Sequence, residues 1–492
     1  MTISWHQYRK YETILLGILL YGIILVYIYN YLQIAKTYRP WTTDEFFYYV
    51  EAKAISAYDI YQAPASLDGN TSFIGDFGFH GISYAVKDGW LAKLFLKPET
   101  PPLVWNNLIT SLATLILILF FKPFSLNIRF KVALIVSTHY VLYSYTLSYM
   151  QETIHYLFAV LALMPLYIVF KSSSISKKHL YYYLGIVVLA TSFRYGWFMW
   201  GAALLVLATN KKSFVKWFII AVLLMAWGVF ISRYIAAPYP YYDMTGDNVI
   251  RPGSFSLLNS ITIAWQKFSG NLQLFLTPDS KITTTCMRYL LLILLLISLW
   301  YSVTKRNKFT IACTLIGWAY FMACMTFYAV YWSYDERALA VLNPLLAFSL
   351  VGCCNSIIFY PIMAVQLILF PGIVKETHER NAASIITNTS EPDRAAKEAS
   401  FSKIKDMVND DTSVVIGTHI GFVKHGTPDY FINLPLVNDK GHSLHYNIFR
   451  QGQDVRGIHE PKYLLNPIGS NIPAASELIY SDSWMNFYKI TR

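Results

Sequence analysis

The sequence predicts an all-α polytopic membrane protein with about eleven transmembrane helices and a small C-terminal extracytoplasmic α/β domain. Three observations carry this expectation. Of the 492 residues, 55% are hydrophobic and 17% aromatic, while only 14% are charged; soluble domains run near about a quarter charged. Apolar runs of roughly 17–20 residues recur as far as residue 374, each able to cross a hydrocarbon core of about 30 Å, and mean hydropathy is +0.38. Lys and Arg gather in alternate connecting segments, so the formal charge of +11 reads as membrane orientation and not as a nucleic-acid footprint.

In chain order the predicted spans are 14–32, 103–121, 132–149, 154–170, 180–192, 197–208, 214–231, 289–303, 309–330, 338–352 and 357–374. No small-residue cleavage site follows the first, which reads as an uncleaved anchor. Residues 180–208 are long for one span and have lysines at both ends, so two short helices must turn back near Arg194. One span over 338–374 would be too long, so two are preferred, which leaves the C-terminus outside. The segments sharing the side of the N-terminus hold Arg9 and Lys10; Lys122, Arg129 and Lys131; Lys171, Lys177 and Lys178; Lys211, Lys212 and Lys216; Lys305, Arg306 and Lys308. These fourteen basic residues stand against one acid, Glu12. By the positive-inside rule that side is cytoplasmic.

Residues 1–374 are therefore expected as the membrane domain, with outer loops 36–102 and 233–287, and 375–492 as an outer α/β tail. In the tail, 394–408 has helical periodicity, 413–417, 462–465 and the hairpin-like 478–490 read as strands, and 380–398 reads as a solvated linker. The five cysteines lie in or beside apolar runs without CxxC spacing, so neither a zinc knuckle nor a disulfide framework is indicated.

Four constellations fall on the outer side. Thr43, Asp44 and Glu45 suit a helix start, with Thr43 as N-cap. The acids can simply complement the helix dipole, or they can present a carboxylate at the lipid boundary, where the aromatic stretch 46–50 would lie along the membrane surface. Glu152 and His155 stand one turn apart at a helix entrance, as a cap and a backbone-satisfied histidine or as substrate contacts. Arg194 is costly between two apolar stretches unless it reaches water, a carboxylate or a phosphate; snorkelling is the alternative. In Tyr334-Asp335-Glu336-Arg337, the arginine can hold a phosphate and its neighbours a sugar, or the charges can form an internal ion pair. Bases, anion ligands and abundant Trp and Tyr on one membrane face point to transfer of a group from a lipid phosphate.

This arrangement resembles the GT-C superfamily of membrane glycosyltransferases over roughly residues 10–350. The matching residues are Asp44-Glu45 in the first outer loop, the Gln151-Glu152 turn, and Arg194-Tyr-Gly196 in the turn of the short helix pair. Within that superfamily, the length, single outer C-terminal domain and Tyr-rich composition are similar to those of serotype-converting O-antigen glucosyltransferases. The resemblance implies an inverting displacement from a polyprenyl (undecaprenyl) phosphate sugar to a lipid-linked glycan. Asp44, or less favourably Glu45, would be the base, and Arg194 and Arg337 the donor-phosphate ligands. Glu152, His155, Tyr334, Asp335 and Glu336 would contact substrate. The site would face the periplasm, in an inner-membrane protein with a cytoplasmic N-terminus. Its expected partners are the lipid-linked donor and acceptor, membrane lipids, a donor-synthesising enzyme and a donor flippase, with no nucleic acid. Some relatives use a divalent metal and others do not; the carboxylates here form no closed ligand set, so metal is left unassigned. A lipid or sugar flippase is the competing reading, although no internal repeat and no midplane charge supports it. A receptor-like or structural assembly protein is a third.

Overall fold

The computed structural model describes residues 43–67, 82–95, 101–120, 125–138, 150–171, 175–231, 257–279, 282–327, 341–351, 356–389, 399–408, 413–416, 434–448, 463–467, 476–483 and 485–491, with single positions 145, 235, 339 and 354. The predicted span 14–32 lies outside them. The chain divides into two compact units: residues 1–33, 103–231 and 241–379 form one, and 34–102, 232–240 and 380–492 the other. This division differs from the linear boundary expected at 374, because the first outer segment groups with the tail.

The first unit is helical. Helices α1 (Thr43–Tyr58) and α2 (Ile82–Phe95) belong to the second unit; the helical unit begins with α3 (Pro101–Phe120) and α4 (Leu126–Thr138), followed by α5 (Glu152–Lys171) and α6 (Lys177–Phe193). A 3₁₀ segment (Tyr195–Gly201) leads into the short α7 (Ala202–Leu205), and then come α8 (Lys211–Phe230), α9 (Leu257–Leu276), α10 (Ile282–Lys305), α11 (Lys308–Phe327), α12 (Leu342–Val351) and α13 (Ser356–Thr389). Among the described residues, 152–171, 211–230, 285–305 and 308–326 are long and apolar enough to cross a membrane, and 108–117 and 357–372 are shorter apolar helices. Helix α13 runs on to Thr389, through part of the segment read as a linker.

The turn-back expected at Arg194 is present. Arg194 is extended (φ −149°, ψ 116°), which stops α6, and the chain returns as the 3₁₀ segment. Tyr183 on α6 donates to the Trp200 carbonyl at 2.6 Å, which lays the returning strand of chain against its own helix. A seven-residue 3₁₀ run is unusual, since runs beyond about four residues have poor hydrogen-bond geometry. Packing supports it: a Cβ on Gly228 of α8 would stand 3.0 Å from Phe198 Cδ1 and 3.2 Å from the Tyr195 carbonyl, so α8 can approach only because that position has no side chain. Helix α8 starts on a capping box in which the Asn210 side chain accepts from Ser213 N at 2.9 Å and Ser213 Oγ accepts from Asn210 N at 3.1 Å.

Polar side chains stitch the remaining helices. Thr314 Oγ1 donates to the Ser298 carbonyl and Trp318 Nε1 to the Leu295 carbonyl, both at 3.3 Å, joining α11 to α10. Asn271 of α9 donates to the Met325 carbonyl at 2.9 Å, and Phe275 meets Phe321 edge-on at 5.5 Å. Part of the second outer loop is therefore a helix packed on a membrane-length helix. The buried Lys131 of α4 donates to the Cys354 carbonyl at 2.7 Å and lies 5.0 Å from the centre of the Phe359 ring.

In the second unit, α1 (Thr43–Tyr58) packs against α2 (Ile82–Phe95). Phe47, Tyr48, Tyr49 and Val50 are all buried, and the Tyr48 and Tyr84 rings lie 5.5 Å apart. These four residues are core, not part of a surface-lying segment as the composition of 46–50 implied. A Cβ on Gly89 would be 2.6 Å from Ile55 Cβ, so the two helices touch at a glycine. Further along the chain, the short α14 (Ile404–Met407) lies in the region read as helical. The sheet has six strands in the order β1-β3-β2-β4-β6-β5: β1 (Ala65–Leu67), β2 (Ser413–Ile416), β3 (His445–Ile448), β4 (Tyr463–Pro467), β5 (Ser476–Ser481) and β6 (Met485–Ile490). β1, β3, β2 and β4 pair in parallel, whereas β6 runs antiparallel to β4 and β5. The edge strand β1 comes from the first outer segment, with Ala65 opposite Tyr446. Burial pushes the Tyr446 phenol well above its ordinary pKa, and it donates to the Pro435 carbonyl at 2.6 Å.

Candidate functional site

The turn 150–153 enters α5 and is held from α3. Asn106 Nδ2 donates to the Met150 carbonyl at 2.8 Å, and Thr153 Oγ1 donates to Asn106 Oδ1 at 2.7 Å. Thr110 Oγ1 binds the Asn106 carbonyl at 2.8 Å, one turn on. The Gln151 carbonyl accepts the N–H groups of Ile154 (3.1 Å) and His155 (3.4 Å), which starts the helix. With its entrance fixed in this way, α5 places Glu152 and His155 on adjacent turns.

Arg194 comes from the break after α6. Its Nη2 donates to Glu152 Oε1 at 2.9 Å. The Glu152 side chain is 1% exposed and that of Arg194 21%, so the carboxylate is the dry end of the pair and the guanidinium the wetter one. Three residues further on, Trp197 Nε1 donates to His155 Nδ1 at 2.9 Å, which makes that nitrogen the acceptor and leaves any ring proton on Nε2. Trp200 stacks on Trp197 at 4.6 Å and Phe158 meets it edge-on at 6.1 Å, so the indole that bonds His155 is held on two sides. Tyr320 of α11 lies within hydrogen-bonding reach of Arg194.

The structure thus brings together three residues singled out from sequence: Glu152, His155 and Arg194. Asn106, Thr153, Trp197 and Tyr320 were missed. Trp197, three residues from Arg194, and Asn106, a polar residue inside an apolar run, were the available signals. Asp44 and Glu45 lie in the first turn of α1, in the other unit. Glu45 is buried and engaged; the Asp44 side chain lies outside the described residues, as do Tyr334, Asp335, Glu336 and Arg337. Among the described residues no group of three or more His, Cys, Asp and Glu is placed to hold a metal ion. Glu152 Oε1 and His155 Nδ1 are taken by Arg194 and Trp197, and among the described residues this cluster offers no closed ligand set for a metal ion.

Chemically, the cluster offers a guanidinium with five N–H donors, of which Glu152 uses one, beside neutral donors and flat aromatic faces. That combination suits an anionic group joined to a polyhydroxylated ring.

No protein-family model and no curated protein matches the chain by sequence. By structure it is similar to ArnT from Cupriavidus metallidurans bound to undecaprenyl phosphate, with a TM-score of 0.50 and 12% identity, over 96% of this chain and 97% of that one. It is also similar to the Archaeoglobus fulgidus oligosaccharyltransferase in complex with Zn and sulfate, with a TM-score of 0.50 and 12% identity, over 92% of this chain and 68% of that one. At such identity the likeness establishes the fold alone, one shared with these two transferases, and it agrees with the four described helices that are long and apolar enough to cross a membrane.

Proposed function

We propose that the protein is an inverting glycosyltransferase that moves a hexose from a polyprenyl (undecaprenyl) phosphate to a lipid-linked glycan such as O-antigen, on the periplasmic face of the inner membrane. The single observation that carries this reading is the Glu152–Arg194 pair at the break after α6, in a fold shared with a protein bound to undecaprenyl phosphate. Arg194 binds the donor phosphate through N–H groups that Glu152 does not use. Glu152 fixes the guanidinium in one orientation, and the His155–Trp197 bond stiffens the turn that carries it.

In the transfer an acceptor hydroxyl attacks the anomeric carbon and the C–O bond to phosphate breaks. The bonding pair leaves on the polyprenyl phosphate and the hydroxyl proton passes to a carboxylate. Asp44 is the assigned base, on its sequence position, and the burial of Glu45 argues against the neighbour. Base catalysis contributes about 10²–10⁴-fold, and Arg194 stabilises charge on the departing phosphate. Glucose as the sugar and a role in serotype conversion belong to the same reading, with a donor-synthesising enzyme and a donor flippase as functional partners. A polyprenyl-phosphate glucose labelled in the sugar, incubated with purified protein and lipid-linked acceptor, tests it. Wild type transfers label and Asp44→Asn does not, while both bind donor. Translocation of intact donor across vesicles without transfer would establish the flippase instead.

A further inference from the structure

Gln151 is 2% exposed, and neither Oε1 nor Nε2 has a hydrogen-bond partner among the described residues. The second carboxylate oxygen of the next residue, Glu152 Oε2, is buried in the same state. A buried amide left unsatisfied bears the full desolvation of both its ends. The contrast within the same turn is sharp: the buried amide of Asn106 has its donor on Met150 and its acceptor on Thr153. One amide is consumed by the architecture; the other, on the residue preceding the ion-paired Glu152, has neither end paired among the described residues.

What Gln151 and Glu152 leave open is a donor and two acceptors on consecutive residues. A phosphate presents acceptors alone, so it would use only Nε2 and be repelled by the carboxylate. An isoprenoid chain presents neither donor nor acceptor. Neighbouring ring hydroxyls, each both donor and acceptor, match the set. We infer that Gln151, with Glu152 Oε2, reads the hydroxyls of a sugar and so sets which sugar the site accepts. The inference rests on the glycosyl-transfer reading of that site and deepens it. The hydroxyls belong to the donor's hexose or to the terminal residue of the acceptor glycan.

The test uses the purified full chain as wild type and as Gln151→Met, which keeps length but offers no amide. Unliganded melting temperature and ligand-induced shifts are read with bare polyprenyl phosphate, its glucose-loaded form and the lipid-linked glycan. Loss of an unsatisfied amide predicts unchanged or raised unliganded stability. It also predicts about ten-fold weaker binding of one sugar-bearing ligand and unaltered binding of bare polyprenyl phosphate. Weakening on the loaded donor assigns the donor hexose, and weakening on the glycan assigns the acceptor. A fall in unliganded stability would make the amide structural and overturn the inference. So would a wild type that binds loaded and bare lipid alike and ignores the glycan, or equal weakening on all ligands. Because these are binding measurements, sugar discrimination without any transfer would sink the glycosyltransferase reading and leave Gln151 as a sugar contact.

Discussion

The Glu152–Arg194 pair combines a structural and a functional burden that single substitutions confuse. Removing the guanidinium leaves a carboxylate that is 1% exposed without its counter-charge, which costs about 3–5 kcal/mol for a buried pair. Arg194→Ala is therefore expected to lose activity through instability as well as through any lost phosphate contact. Glu152→Gln combined with Arg194→Met removes both charges while keeping volume, and such replacements are often neutral. The double variant should melt within a few degrees of wild type yet bind polyprenyl phosphate at least about ten-fold more weakly, since the planar fork is gone. Wild-type affinity in the stable double variant would return Arg194 to an architectural role. Arg194→Lys keeps charge and loses the fork, so it should retain stability better than alanine and still lose most transfer. At this scale the sequence announced Arg194, because an arginine between apolar runs needs a partner, but it could not name Glu152 as that partner across 42 positions of chain.

The elements show where pattern reading holds and where it stops. The segment read as a strand at 413–417 covers β2, and the hairpin-like 478–490 overlaps β5 and covers β6, because short apolar runs bounded by polar residues are a signal. β1 (Ala-Ser-Leu) and β3 (His-Tyr-Asn-Ile) carry no continuous apolar run to mark them, and partners far along the chain complete their hydrogen bonds. Likewise the composition of 46–50 suits a membrane surface, since a run of aromatics does not distinguish lipid from protein core; packing on α2 decides it for Phe47 to Val50. Gly89 makes this packing testable. Alanine there gains about 1 kcal/mol of helix propensity, but its Cβ would sit 2.6 Å from Ile55 Cβ and 2.7 Å from Cγ2, an overpacking that costs about 1–3 kcal/mol. Gly89→Ala should therefore lower the melting temperature. Ile55→Ala, which removes Cγ2 and the atoms beyond it but keeps Cβ, should be destabilising alone by about 2–5 kcal/mol. The two together should be less damaging than their sum by part of the overpacking cost, because the contact with Cγ2 is relieved while the one with Cβ remains. Strict additivity would show that the helices separate at no cost and that the contact carries nothing.

For the whole molecule, charge asymmetry supplies the expected orientation, which needs only the placement of Lys and Arg along the chain. Fourteen basic residues on one side against a single acid fix the expected cytoplasmic face before any helix is placed. Span count was less legible. The helix pair at 177–205 closes through a 3₁₀ segment instead of a second full helix, and α12 is only ten residues long. Apolar length alone equates these with full crossings. Parity nevertheless decides the side of the tail: an odd number of crossings puts 380–492 opposite the lysine-rich segments, and an even number puts it with them. Lys440, exposed beside Gly441, is a suitable reporter; Gly441 itself has φ +80°, where a cysteine would be strained. In intact spheroplasts of a variant whose native cysteines are replaced by serine, Lys440→Cys should react with a membrane-impermeant maleimide. Lys211→Cys, exposed at the start of α8, should react only after the membrane is opened. Labelling of both from the same side would place the tail in the cytoplasm, remove one crossing or add one, and separate the sheet from the face to which the glycosyl-transfer reading assigns the chemistry.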